Sequence, residues 1–155
     1  MTPFESLIAE FAKNTGLPLE ADAQESCSLE TEDLVITLQY RRERDDVVLF
    51  APVSEPGEEL PPETLRAALE LACNGKGTRG NYLGLFAGTL LLSRFMPFDG
   101  LTADALGESV LAFADAALAV RAALAEPAAA PSPASGAGFS GGHAACIDQR
   151  AHHVR

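Results

Sequence analysis

The sequence predicts an α+β domain in which a mainly antiparallel, twisted sheet carries helices in the order α-β-β-β-α-β-β-α, giving two layers. Three observations predict it. Three segments repeat apolar residues at the spacing of an amphipathic helix. Other short segments alternate or run apolar between turn signals, as strands do. The connections between successive strands are short, which suits antiparallel neighbours. At 155 residues the chain suits one domain with a real core.

The first helix opens at Thr2-Pro3-Phe4-Glu5. Thr2 can cap, Pro3 suits the first helical position and Glu5 completes a capping box. Phe4, Leu7, Ile8 and Phe11 recur on one face, and Gly16 and Pro18 close the helix. Cys27 and Leu29 then alternate with polar neighbours, and Glu32-Asp33 signals a turn. Leu34, Ile36, Leu38 and Tyr40 form one face of a second strand, with Val35, Thr37 and Gln39 on the other. After the charged turn Arg42 to Asp46, the run Val47 to Ala51 reads as a strand covered on both faces. Two tight charged connections in succession make an antiparallel meander.

Pro52 to Pro62 is a loop. The second helix carries Leu65, Ala68, Leu69 and Ala72 on one face and ends at Asn74-Gly75, and Lys76 to Asn81 is expected to be a mobile connection. Tyr82 to Phe86 and Thr89 to Phe95 pair as a hairpin across Ala87-Gly88. Thr102 caps a long third helix bearing Leu106, Val110, Phe113, Ala117, Val120 and Leu124, which ends before Pro127. The domain is therefore placed at residues 1–126. Residues 127–155, rich in Ala, Pro, Ser and Gly, are expected to be a disordered tail, because they offer too little apolar surface to offset their ordering entropy.

Composition excludes several functions. The net charge is −11, from 22 acidic and 11 basic residues, and such a surface repels phosphate backbones, so no nucleic-acid partner is expected. The cluster Arg41, Arg42 and Arg44 runs directly into Asp45 and Asp46 and reads as a solvated turn. No apolar stretch is long enough for membrane insertion, and the first residues lack the basic start of a secretory signal. Cys27, Cys73 and Cys146 are odd in number and lack a CxxC spacing, which fits a reducing compartment and neither a disulfide framework nor a zinc site.

No constellation supports catalysis. Cys27 or Cys73 would need a base and an orienting group to act as a nucleophile, yet His143, His152 and His153 all fall in the expected tail. The stretch from Asn74 to Gly80 has the composition of a phosphate loop but follows a helix and leads to a strand, the reverse of the order such a loop requires. The acidic pairs Asp45-Asp46 and Glu58-Glu59 lie in loops, away from the buried settings that general acid–base work needs.

Leu69 to Asn74, then Tyr82-Leu83-Gly84-Leu85, then Leu90 to Phe98 with its Phe95-Met96-Pro97-Phe98 exit, together resemble the centre of the Tir-chaperone-like family, the class I type III secretion chaperones. Gly16-Leu17-Pro18-Leu19 after the first helix resembles the family's opening, and the resemblance spans about residues 4 to 125. Phe86-Ala87-Gly88 stands where the family often has Asp after Leu-Gly-Leu. Val120-Arg121 stands where an aromatic is frequent. Both departures bear on the subgroup more than on the fold.

The resemblance implies a non-enzymatic, bacterial, cytoplasmic homodimer that holds the non-globular N-terminal segment of a secreted effector, with no cofactor, metal or nucleotide. It implies a dimer interface at Leu65, Leu69, Ala72, Leu83 and Leu85, and an effector surface at Phe4, Leu7, Ile8, Phe11, Leu17, Leu19, Val35 and Thr37. For each of these residues the plain alternative is the monomer's own core. The secretion-apparatus ATPase is a further implied partner. Three rival readings remain open: a regulator of the same fold that binds another secretion regulator, a small thiol-dependent enzyme, and a stand-alone structural protein with no client, which would have no exposed apolar patch.

Overall fold

The computed structural model describes residues 1–126 of the chain. The expected tail 127–155, with its histidines, Cys146 and Phe139, lies outside them. The elements follow the expected order: α1 (Pro3–Thr15), β1 (Ser26–Glu30), β2 (Val35–Arg41), β3 (Asp46–Pro52), α2 (Pro62–Ala72), β4 (Tyr82–Phe86), β5 (Thr89–Pro97) and α3 (Ala103–Ala125). The five strands form one antiparallel sheet in the order β1-β2-β3-β5-β4.

Local chemistry fixes the ends of these elements. The Thr2 hydroxyl accepts the Glu5 amide at 3.2 Å, and the Glu5 carboxylate accepts the Thr2 amide at 2.6 Å, so the capping box forms. Gly16, at φ 71°, closes α1 in the left-handed region. The β4–β5 turn has both central residues at positive φ, 47° at Ala87 and 80° at Gly88, which matches the twist of the strands it joins. The Thr102 hydroxyl accepts the Ala105 amide and starts α3.

The helices and one face of the sheet enclose the core. Phe4, Ile8 and Phe11 of α1 and Leu106, Phe113, Ala117 and Val120 of α3 pack with Ile36, Leu38, Val47, Leu49 and Leu92, all nearly or fully buried. The strand contributions follow the two-residue alternation of a pleated sheet. Tyr40 lies between the rings of Phe4 and Phe98, at centroid distances of 5.9 and 4.6 Å.

One expectation is corrected. The segment from Lys76 to Asn81 is a pinned turn and not a mobile connection. Thr78 is fully buried and donates to the Asn81 carbonyl at 2.7 Å, the Asn81 amide donates back to the Thr78 carbonyl, and Arg94 donates to the Asn81 side chain at 2.8 Å and to the Ser109 carbonyl of α3 at 3.3 Å. Satisfied buried polar groups of this kind fix a conformation. Gly77 permits the packing beneath, because a Cβ there would stand 2.7 Å from the Leu71 carbonyl oxygen. The run Val47 to Ala51 sends Val47, Leu49 and Ala51 into the core beneath the helices and Val48 and Phe50 to the opposite face, where Val48 is buried all the same and Phe50 half-buried.

Candidate functional site

The sheet's second face carries the other half of each alternation. Register places Val35 across from Glu30, Thr37 across from Ser28 and Phe50, and Gln39 across from Val48, which in turn stands across from Phe95. Further along, Leu91 stands across from Gly84, and Ser93 across from Tyr82. Val35, Val48, Phe50, Leu91, Phe95 and Tyr82 therefore form an apolar band from β2 to the β4 edge. Val35 is 42% exposed and Phe95 41%, while Phe50 and Leu91 are half-buried. Tyr82 meets Phe95 edge-on at 5.4 Å, and the Arg41 guanidinium sits 4.7 Å over the Phe95 ring. Val48 at the centre is buried, at 7%, so the accessible parts of the band are Val35 at one end and Phe95 and Tyr82 at the other. Exposed apolar side chains grouped in this way mark protein-interaction surfaces.

A second apolar surface lies where α2 meets β4, an edge strand with one side of its backbone unpaired. Leu69 is 75% exposed and Leu85 58%, whereas Phe86, at 72%, falls on the opposite sheet face with Tyr82 by the strand's alternation. Leu65 and Ala72 are half-buried, and Leu83 packs partly against the core. The residues expected at a dimer interface are thus brought to one edge, with Leu69 and Leu85 open.

The residues expected to receive an effector are dispersed. Phe4, Leu7, Ile8 and Phe11 are buried, because α3 and the sheet cover the only apolar stripe α1 has. They form the core side of α1 and not an open patch. Leu19 is buried in the same core, whereas Leu17 is exposed beyond the end of α1. Val35 is exposed and Thr37 half-buried, its hydroxyl 3.5 Å from that of Ser28. Sequence reasoning missed Val48, Phe50, Leu91 and Phe95. The signal was present: Val47 to Ala51 and Leu90 to Leu92 are apolar at both parities, so each strand supplies the outer face as well as the core.

The charged groups nearby are paired. Arg41 donates to both oxygens of Asp46, at 2.7 and 2.5 Å, and Arg42 to both of Glu25, at 2.7 and 2.8 Å. These hydrogen bonds hold the Asp46 and Glu25 carboxyls below the usual carboxylate range. The basic cluster is therefore mostly neutralised within the chain. Burial pushes the Cys27 thiol up, and the negative charge of Asp22 acts in the same direction, so its thiolate is disfavoured. Cys73 is exposed where α2 ends. No group of three His, Cys, Asp or Glu side chains that could hold a metal occurs among the described residues, and no helix among them is long and apolar enough to cross a membrane.

Comparison with known proteins places this geometry. The model of the Tir chaperone protein (CesT) family matches residues 6–121, well over half of the chain. A chain in the structure of the HopA1–SchA chaperone–effector complex superposes with a TM-score of 0.63 at 20% identity, covering 77% of this chain and 93% of that one. A chain of the ExsC–ExsE complex gives 0.66 at 24% identity, covering 81% and 94%. The Yersinia pestis type III secretion chaperone SycH, in complex with a stable fragment of YscM2, gives 0.56 at 18% identity, covering 76% and 98%. At these identities the likeness is one of fold. A search of curated protein sequences returns no significant match.

Proposed function

The chain belongs to the Tir chaperone protein (CesT) family, and from that premise we propose that it is a type III secretion chaperone. It binds the non-globular N-terminal segment of a secreted effector and keeps that segment extended, soluble and competent for export. The observation that carries this reading is the apolar band on the open sheet face, from Val35 through Phe50 to Phe95 and Tyr82, on a domain whose core is already complete without it. Similar folds occur in the HopA1–SchA chaperone–effector complex and in SycH bound to a YscM2 fragment.

In this reading the working unit is a homodimer joined along α2 and β4 through Leu65, Leu69, Ala72, Leu83 and Leu85. Burying Leu69 and Leu85 against a second copy removes from water two apolar side chains that are more than half exposed in the single chain. Val35, with Leu17 beyond the end of α1, remains open to a client, Thr37 beside it is half-buried, and the β1 edge can accept a client strand through main-chain hydrogen bonds. Binding, with no chemical step, is the whole mechanism. Cys27 is unsuited to a nucleophilic role by its burial and raised pKa. The site of action is the bacterial cytoplasm, where the loaded complex would meet the secretion-apparatus ATPase.

Export from a strain lacking the chain tests the proposal. One secreted protein should fall in soluble level and in export, and return when the chain is supplied again. Unchanged export of every secreted protein, with altered transcription of secretion genes, would replace the chaperone reading with the regulatory one.

A further inference from the structure

The outer sheet face has unequal ends. At the β1–β2 end, Glu30 lies across from Val35 and the connecting turn carries Glu32 and Asp33. The loop after β3 brings Glu55 to the same place, where Glu32, Asp33, Val35, Pro52, Glu55 and Arg121 line one shallow cavity. Arg121 donates to Glu55 at 2.9 Å and to the Asp33 main-chain carbonyl, so this one cation is already engaged. Among the described residues, Glu30, Glu32 and Asp33 have no ion-pair partner. At the other end of the same strands, Arg41 is matched by Asp46 and Arg42 by Glu25.

We propose that the outer face takes an apolar client segment bearing Lys or Arg at one end, and that those basic residues lie over Glu30, Glu32 and Asp33. The inference rests on the chaperone reading and adds the chemistry of the client to it. The one charged side chain over the apolar band, Arg41 above Phe95, is already paired with Asp46, so the band itself has no unmatched charge to select a segment or to set how it lies. An unmatched acidic pole at one end supplies both, since charge complementarity contributes specificity and register more than bulk affinity. A second copy of this chain, itself carrying a net charge of −11, is the poorer occupant.

The probes are two fluorescein-labelled peptides of equal length that share an alternating Leu, Val and Phe core and end in either two Lys or two Glu. Their binding to the full-length chain is read by fluorescence anisotropy at low salt. The Lys peptide is expected to bind about ten-fold more tightly. The double variant Glu32→Lys/Asp33→Lys, which leaves the main-chain contact to Arg121 in place, is expected to reverse that preference, and Val35→Asp to weaken both peptides. Equal binding of the two peptides, or a preference that survives the double variant, overturns the inference. Binding of neither peptide also overturns it, and a native client that still co-purifies then leaves the chaperone reading standing. Conversion of a dimer to a monomer by Val35→Asp would assign the face to self-association and likewise overturn it.

Discussion

Leu49 and Phe50 are neighbours in β3, yet they serve different parts of the molecule. Leu49 is wholly buried beneath the helices, while Phe50 lies half-buried on the face that none of the described helices covers. The same division runs through β2, with Ile36 inside and Val35 outside, and through β5, with Leu92 inside and Phe95 outside. One face of the sheet supplies the stability of the fold. The other holds apolar side chains in place without contributing comparably to the core, which is the condition for offering them to another polypeptide.

Substitutions on the two faces should separate these roles. Phe113→Ala or Leu49→Ala removes a fully buried side chain and should cost about 2–5 kcal/mol in urea unfolding. Gly77→Ala should cost about 1–3 kcal/mol, because the new methyl meets the Leu71 main chain and the pinned turn must shift. Phe95→Ala loses an exposed ring and its contact with Arg41, and should cost no more than about 1 kcal/mol while weakening client binding. A large stability loss from Phe95→Ala, or an unchanged affinity, would erase the distinction between the faces.

Two smaller effects sharpen it. Leu69→Asp on the α2–β4 edge should convert a dimer to a monomer in sedimentation velocity while the far-ultraviolet circular dichroism stays the same, since the side chain is already in water in the single chain. The pairs Arg42–Glu25 and Arg41–Asp46 set an acid limit. Both carboxyls are held below their usual range when folded. Their contribution is therefore fully present above the unfolded carboxylate pKa, about 4, and is lost as pH falls through the lower folded values. The urea midpoint should be flat from neutral pH to about 5 and decline below that, and Glu25→Gln should make the decline shallower.

Much of this division was legible in the sequence. The capping box at Thr2 and Glu5, the helical spacing of Phe4, Leu7, Ile8 and Phe11, and the Ala87-Gly88 turn are local signals, and local signals specify local structure. The two-residue alternation in β2 also named Val35 and Thr37 as the outer set. What the sequence left open was which apolar residues remain uncovered, because that depends on where the helices land. The α1 stripe looks like a binding patch until α3 is seen to lie on it. The runs at Val47–Ala51 and Leu90–Leu92 are apolar at both parities, so a strand buried on two faces and a strand with one face open to a partner read alike. The turn at Lys76–Asn81 reads as mobile for a similar reason. Its order comes from the burial of Thr78, which bonds with Asn81 inside the turn, and from Arg94, which the hairpin brings alongside Asn81.

The most direct test of the outer face as the client surface compares the wild-type chain with a Val35→Asp/Phe95→Asp variant. Each is purified from its native host and weighed by light scattering, with mass spectrometry of whatever accompanies it. The expected result is a wild-type dimer carrying a secreted protein by a protease-protected N-terminal segment, and a variant dimer of near-native melting temperature carrying none. A variant that retains the client, or a wild-type chain that is a bare monomer, would contradict it.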